Sequence, residues 1–284
     1  MQIKKVVNDK NQRLSKLMAD ELKLNYNQIQ KLIRNKDVKV QGKRISSDIE
    51  ISVGNLVELY LNETKLKIIF ENDDIIVVFK PRNLETVSEK GDGDLLARLS
   101  KQVNCEIFAV HRLDRNTEGL VIFAKNQKSK KSLDNAIKNR KIEKFYLAKV
   151  VGIPEKKQDN LIAYLKKDEK NSFVKISDTQ GQGYEIIKTN YKLIGLEDDF
   201  SYLEVELITG KTHQIRAHLS HIGLPILGDE KYGNNEINKK FNKKYQCLCA
   251  FKLIFHFEKG DYLENLDGKI IKLNEDEIDF YKKH

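Results

Sequence analysis

Three short runs hold the side chains best placed to do chemistry. In Ala109-Val110-His111-Arg112-Leu113-Asp114-Arg115-Asn116-Thr117-Glu118-Gly119-Leu120, a lone carboxylate lies between two arginines, directly before the β-like run Leu120-Val121-Ile122-Phe123-Ala124. A carboxylate so flanked is an ion-pair partner or a reactive anion held by its neighbours. Charge spacing alone would also fit a solvated turn. In Lys144-Phe145-Tyr146-Leu147-Ala148-Lys149-Val150-Val151-Gly152, alternation sends Phe145, Leu147 and Val151 one way and Tyr146, Ala148 and Val150 the other. On that pattern Tyr146 is a core residue as readily as a site residue. In Leu207-Ile208-Thr209-Gly210-Lys211-Thr212-His213-Gln214-Ile215-Arg216-Ala217-His218-Leu219, a strand gives way to a helix whose apolar face is Ile215, Leu219 and Ile222. Arg216 falls off that stripe and can reach another element.

The first run resembles the HRLD-x-x-T-x-G-L signature of the RluA-type pseudouridine synthases, and the other two resemble the second and third motifs of that family, in the same order. Gly228-Asp229-Glu230-Lys231-Tyr232-Gly233 resembles the family's trailing G-D-x-x-Y-G. The resemblance implies that Asp114 is the catalytic carboxylate, as nucleophile or cation stabiliser while the uracil is detached from its ribose. It implies that Tyr146 packs against the target base, with proton transfer from carbon five as a second role, and that Arg216 pairs with Asp114 through a fork-like contact. Arg112 would fill the gap left by a flipped nucleotide, since a planar guanidinium can stack as well as bind phosphate. Ile215 would line the uracil pocket, with Arg115, Lys211 and His213 as further RNA contacts. The isomerisation needs no redox step or external energy, so no cofactor is expected.

Three departures bear on the substrate rather than the reaction. Glu118 stands where a small serine is usual and is expected to bring negative charge close to the RNA path. Lys211 replaces a customary arginine and loses its bidentate fork. The loop after Lys80-Pro81 lacks the usual glycine, and Asn83 is expected to take its left-handed conformation. The resemblance otherwise runs over almost the whole chain.

The elements that must position these groups read as two domains. Over 1–62, an amphipathic helix with Leu14, Leu17, Met18 and Leu22 precedes a second helix over 28–33, capped by Asn27 and exposing Lys31 and Arg34 as RNA contacts. Short strands at 38–40, 49–51 and 56–59 follow. That order resembles the αL RNA-binding domain named for the fourth small-subunit ribosomal protein. Asn62-Glu63-Thr64 forms the joint. From 65 to 284, strands are expected at 67–70, 75–79, 120–124, 145–151, 184–188 and 202–207, and helices at 95–102, 129–138, 212–222 and 275–283. This is the pattern of an α+β catalytic domain on a mixed, mostly antiparallel sheet.

Composition narrows the function class. Net charge is +9 over 284 residues. Residues 1–62 carry 12 Lys+Arg against 7 Asp+Glu, a net of +5, and the block from Lys125 to Lys144 is also basic. Two such blocks favour a nucleic-acid partner over a membrane. No apolar run is long enough to span a bilayer, and the amino terminus lacks the core of a signal peptide, so a cytoplasmic monomer is expected. Cys247 and Cys249 share a strand face with Phe251, Leu253, Phe255 and Phe257 and read as core thiols. His218 and His221 share a helix face, but His213 lies about 140° round from His218 at about 100° per residue, with no acidic ligand in the helix, so no metal is expected. The small domain tilts the substrate toward 23S ribosomal RNA, with transfer RNA as the alternative. The rivals from other classes are a non-catalytic ribosome-associated RNA-binding protein, which would tolerate Asp114→Ala, and a metal-dependent nuclease, which chelator would inactivate.

Overall fold

The computed structural model describes residues 2–22, 24–61, 65–88, 93–168 and 173–281. The chain divides into two compact units, Met1–Lys65 and Leu66–His284. The joint expected at 62–64 lies outside the described residues.

In the first unit, β1 (Gln2–Val7), β2 (Gln12–Arg13), α1 (Leu14–Leu22), α2 (Tyr26–Arg34), β3 (Val38–Val40), β4 (Lys43–Arg44), β5 (Glu50–Ile51) and β6 (Leu56–Leu61) succeed one another. A four-stranded sheet in the order β1-β6-β3-β4 carries the two helices, and β2 pairs β5 separately. The apolar sides of both helices meet Val38, Val40, Val57 and Leu59 in one core. The cap of α2 is Asn25, not Asn27. Asn25 accepts the Gln28 backbone N–H while the Gln28 side chain accepts the Asn25 N–H, a reciprocal box that starts the helix two residues earlier.

The second unit is an α+β fold on one large, mostly antiparallel sheet. Its strands are β7 (Ile68–Glu71), β8 (Ile75–Lys80), β9 (Phe108–Ala109), β10 (Glu118–Ala124), β11 (Ile142–Val151), β12 (Gln158–Asp168), β13 (Phe173–Ser177), β14 (Glu185–Glu197), β15 (Phe200–Leu207), β16 (Leu248–Phe255) and β17 (Ile270–Lys272). The order is β13-β12-β14-β15-β11-β16-β10-β8-β7, with β17 on β16 and β9 on β10. The helices are α3 (Leu95–Val103), α4 (Gln127–Lys138), α5 (Gln214–His221) and α6 (Asn235–Lys240). Among the described residues no helix is long and apolar enough to cross a membrane.

Each sheet face has its own core. One face packs against α4 and the chain's end, and gathers Leu133, Leu147, Cys247, Cys249, Phe251, Leu253, Phe255, Phe257, Ile278 and Phe280. The other packs against α3 and α5, and gathers Leu99, Leu113, Tyr146, Val205, Ile215, Leu219 and Ala250. Strands buried on both faces, such as β10, therefore read as continuous apolar runs. Strands β12 and β13 lie at the sheet's outer end with exposed positions along them, which is why their apolar signal is weak. The helix expected over 275–283 is replaced by a single 3-10 turn, Glu275–Glu277. Ile278 and Phe280 are buried while the carboxylate of Asp279 between them is 83% exposed, a period of two rather than 3.6.

One junction fixes where the site forms. Strand β10 pairs antiparallel with β8 but parallel with β16, through Glu118↔Cys249 and Gly119↔Ala250. Ala250 is in turn beside Tyr146, and Tyr146 beside Val205, so a single cross-strand row runs Gly119, Ala250, Tyr146, Val205. Gly119 has φ +120°, and a Cβ there would stand 2.2 Å from the Ala250 carbonyl oxygen. Gly119→Ala is therefore expected to cost about 3 kcal/mol or more, lowering Tm by about 6–12 °C. Gly268→Ala, also at positive φ but with nothing within 4 Å, is expected to cost about 1 kcal/mol from backbone strain alone. Thermal melts of the two variants check the difference.

Candidate active site

Asp114 sits on the loop between β9 and β10, and the loop is tied down on every side. Leu113 is buried in the site-face core, and its backbone N–H donates to the Thr86 hydroxyl at 3.1 Å. The Ile122 N–H donates to Nε2 of His111 at 2.9 Å. Burial, reinforced by the nearby Lys144 charge, lowers the His111 pKa to about 3, which keeps the ring neutral and able to accept. The Asp114 carbonyl accepts the Thr117 N–H at 3.0 Å, closing the turn, and Gln246 donates to the Thr117 hydroxyl. Lys80, fully buried at the end of β8, donates to the carbonyls of Pro81, Leu84 and Arg115 at 3.0, 2.8 and 3.0 Å. Desolvation pulls its pKa to about 7, opposed by the charges of Asp114 and Glu118. Three acceptors around one nitrogen nevertheless call for all three ammonium protons.

Arg216 approaches from α5. It is buried, and its guanidinium is shared between two carboxylates. Nη1 donates to Asp114 Oδ2 at 2.9 Å, across 102 residues of chain. Nε and Nη2 donate to Asp229 Oδ2 and Oδ1 at 2.7 and 2.9 Å, a bidentate fork. The Asp229 carboxylate is fully buried, and Oδ1 also accepts the N–H groups of Lys231 and Tyr232. Burial alone would raise its pKa, but the Arg216 guanidinium and these two amides hold it below the usual carboxylate range. Gly233 closes this turn because a Cβ there would lie 2.2 Å from the Asp229 carbonyl. The Asp114 side chain, a quarter exposed, is the open end of this chain of charge.

Tyr146 is buried on the same face. Burial raises its phenol pKa, and the charge of Asp114 adds to the rise, with Cys249 contributing further. Ile215, 5% exposed, joins Tyr146 and Val205 in one core. His213 precedes α5 in the left-handed region at φ 55°. Its Nε2 lies 3.9 Å from Asp114 Oδ2, and its Nδ1 lies 3.0 Å from the Tyr232 hydroxyl.

The other expected residues are dispersed. Arg112 is exposed and has no side-chain partner among the described residues. Arg115, also exposed, donates from Nε to Asn83 Oδ1 at 3.1 Å, and Asn83 takes the left-handed conformation at φ 59°. Lys211 is ion-paired to Glu185 and helps line a cleft of about 400 Å³ with Lys166, Lys167 and Thr212. Lys31 and Arg34 are exposed on α2 of the other unit. Glu118 is 6% exposed and paired with Arg82, which also lies over the Phe280 ring. Burial pushes its carboxyl up and Arg82 pulls it down.

His218 and His221 serve other contacts, on Thr189 and Asp178. Among the described residues no group of three or more His, Cys, Asp or Glu is placed to hold a metal ion. Sequence reasoning missed the part Asp229 plays as the buried counter-ion of Arg216. Asp229 and Tyr232 were visible only as letters of the G-D-x-x-Y-G run. Lys80 and His111 gave no signal of their clamping contacts, because each contact reaches a residue distant in sequence or a backbone group.

Asp229→Asn takes one charge from a buried trio and is expected to cost about 3–5 kcal/mol in denaturant unfolding at pH 7. Because the folded pKa of Asp229 is depressed, its contribution is present above the unfolded carboxylate value of about 3.9 and lost as pH falls through the lower folded value. The gap between wild type and variant should therefore shrink from pH 7 toward about pH 3. A constant gap in the two sets of denaturation curves would contradict this account.

Residues 74–221 match the RNA pseudouridylate synthase family. The chain is 30% identical over 271 residues to the ribosomal large subunit pseudouridine synthase C of Rickettsia bellii, covering 85% of this chain and 88% of that protein. It is 32% identical over 300 residues to an uncharacterized RNA pseudouridine synthase of Mycoplasma capricolum, covering 95% and 96%. In fold it is similar to human RNA pseudouridylate synthase domain containing 1, with TM-score 0.59 and 24% identity over 73% of this chain and 89% of that one. Three motifs far apart in sequence converge around Asp114 on this fold, and the chain belongs to the RNA pseudouridylate synthase family, as an RluA-type enzyme that isomerises uridine in RNA.

Proposed function

We propose that the enzyme converts specific uridines of 23S ribosomal RNA to pseudouridine, with Asp114, Tyr146 and Arg216 as its catalytic residues. The observation that carries the residue assignment is the 2.9 Å contact from Arg216 to Asp114, made while Asp229 holds the other edge of the same guanidinium. That arrangement leaves one carboxylate aimed and open in an otherwise paired cluster. The reaction breaks the bond from ribose C1′ to uracil N1, rotates the base, joins C1′ to C5, and transfers the C5 proton away while N1 gains one. Asp114 supports the detached state as nucleophile or counter-ion. Tyr146 keeps its phenol proton, since the tyrosinate is disfavoured there, and serves as the surface on which the base turns.

Reaching the base means extruding it, which costs a few kcal/mol of stacking. Arg112, exposed and without a side-chain partner among the described residues, is our candidate to occupy the vacancy. Arg115, Lys211, His213 and Ile215 complete the contacts around the nucleotide. The small unit acts as an αL-type RNA-binding domain, with Lys31 and Arg34 supplying salt-dependent backbone affinity. Ribosomal RNA is favoured over transfer RNA because the Rickettsia relatives are named for the large ribosomal subunit and because this basic unit accompanies the catalytic one. The enzyme acts as a cytoplasmic monomer.

The test is a pseudouridine map of unmodified large-subunit ribosomal RNA and of unmodified transfer RNA, each incubated with wild type and with Asp114→Asn. New pseudouridine in ribosomal RNA with wild type alone is the expected result, with activity of the variant reduced at least about a thousandfold. Modification of transfer RNA alone would overturn the substrate, and an active Asp114→Asn would overturn the catalytic assignment. Arg112→Ala is expected to bind RNA within a few-fold of wild type but to lower the single-turnover rate.

A further inference from the structure

His213 is more tightly specified than an RNA contact requires. Its Nδ1 faces the Tyr232 hydroxyl at 3.0 Å, and that hydroxyl already accepts the Val174 N–H at 2.9 Å. Among the described residues, Nδ1 is the one acceptor within reach of the Tyr232 proton, so the tyrosine donates and Nδ1 accepts. The ring must then carry its proton on Nε2. This nitrogen is the one that faces Asp114, at 3.9 Å, too far for a hydrogen bond, so its proton is left to a ligand that lies alongside the carboxylate. The left-handed turn at φ 55° aims the side chain there rather than along α5. The Tyr232 ring is itself held between the Arg216 guanidinium, 5.3 Å from its centroid, and the edge of Phe173.

We propose that Tyr232 fixes His213 as a neutral Nε2–H donor, and that this donor binds an oxygen of the target uridine as it lies against Asp114. This rests on the assignment of Asp114 as the catalytic carboxylate. His213 would touch substrate, whereas Tyr232 is a positioning residue acting through it. The groups facing the ring from the surrounding elements are Asp114, Arg216, Asp229, Lys231 and Tyr232. Burial is the largest influence on the ring and lowers its pKa; Arg216 and Lys231 act the same way, while Asp114 and Asp229 oppose them. A neutral donor so held keeps its hydrogen bond at pH values where a free histidine takes up a second proton. The uridine oxygen is a uracil carbonyl or the ribose 2′-hydroxyl, both within the chemistry of one N–H donor.

The first experiment needs no substrate. Long-range proton–nitrogen spectra of the ¹⁵N-histidine-labelled full-length enzyme, with the His213 signal assigned by its loss in His213→Gln, should show protonated Nε2 and bare Nδ1 at neutral pH. In wild type the ring should stay neutral below the ordinary histidine value of about 6.5, because burial lowers its pKa, whereas in Tyr232→Phe, which keeps that burial but removes the Nδ1 partner, the neutral ring should appear as a mixture of Nε2–H and Nδ1–H forms. A proton on Nδ1, or a doubly protonated ring at pH 7, would overturn the proposal whatever the enzyme's substrate proves to be.

The second uses an oligoribonucleotide spanning the uridine located by the pseudouridine map. His213→Ala should lower kcat/KM at least about tenfold, and His213→Gln, which restores a neutral donor, should recover most of that loss. Equal activity of His213→Ala and wild type would sink the substrate contact while leaving the Asp114 assignment intact. With 2′-deoxyuridine at the target, a penalty that vanishes in His213→Ala identifies the ribose hydroxyl as the bound atom. A penalty unchanged by the substitution identifies the uracil carbonyl.

Discussion

The site depends on one guanidinium shared by two carboxylates. Arg216 is buried and always charged, so its place in the fold is tenable only if counter-ions come with it. Asp229 meets that need through a two-point fork and two backbone amides, and it is fully enclosed. Asp114 meets it through a single contact and keeps a quarter of its side chain open. The asymmetry separates the roles: one carboxylate completes the structure, and the other is oriented by it yet free to meet a nucleotide.

The scaffold serves that asymmetry by making everything behind Asp114 rigid. The loop is gripped by a neutral histidine that accepts from β10, by a threonine from the loop after β8, and by a lysine whose three donors end on carbonyls. Most of these bonds end on backbone, so they fix the path of the chain rather than the identity of the neighbouring side chains. The parallel pairing of β10 with β16 brings Gly119, Ala250 and Tyr146 into one cross-strand row, and α5 lays Ile215 and Arg216 over the same face. The motifs meet because the sheet order interleaves strands that are remote in sequence, and β16 enters between β10 and β11 from the far end of the chain.

Much of this was legible in the residues. Alternation in 145–151 and around Cys247 and Cys249 separated the two sheet faces correctly, because side chains on a strand have little choice but to alternate. The helices with strong apolar periodicity emerged within a residue or two at most ends. Failures fell where exposed end strands carry little apolar signal, and at the carboxyl end, where Ile278 and Phe280 insert with a period of two. The burial of Glu118 beside Arg82 could not be read from its neighbours in sequence. The cap of α2 was misplaced because two asparagines stood close together and only the one three residues before Gln28 completes the reciprocal bond.

The sequence by itself determined the type of the strongly patterned elements, the strand faces and the three motifs, since each follows from local periodicity or from a short run of letters. Tertiary structure alone decided that Asp229 would neutralise Arg216, that His111 and Lys80 would brace the Asp114 loop, and that Tyr232 would set the proton on His213. Each of these is a hydrogen bond or ion pair between groups brought close only by strand order and burial. Desolvation then gives them their strength, and desolvation is a property of the packed molecule that no stretch of residues carries alone.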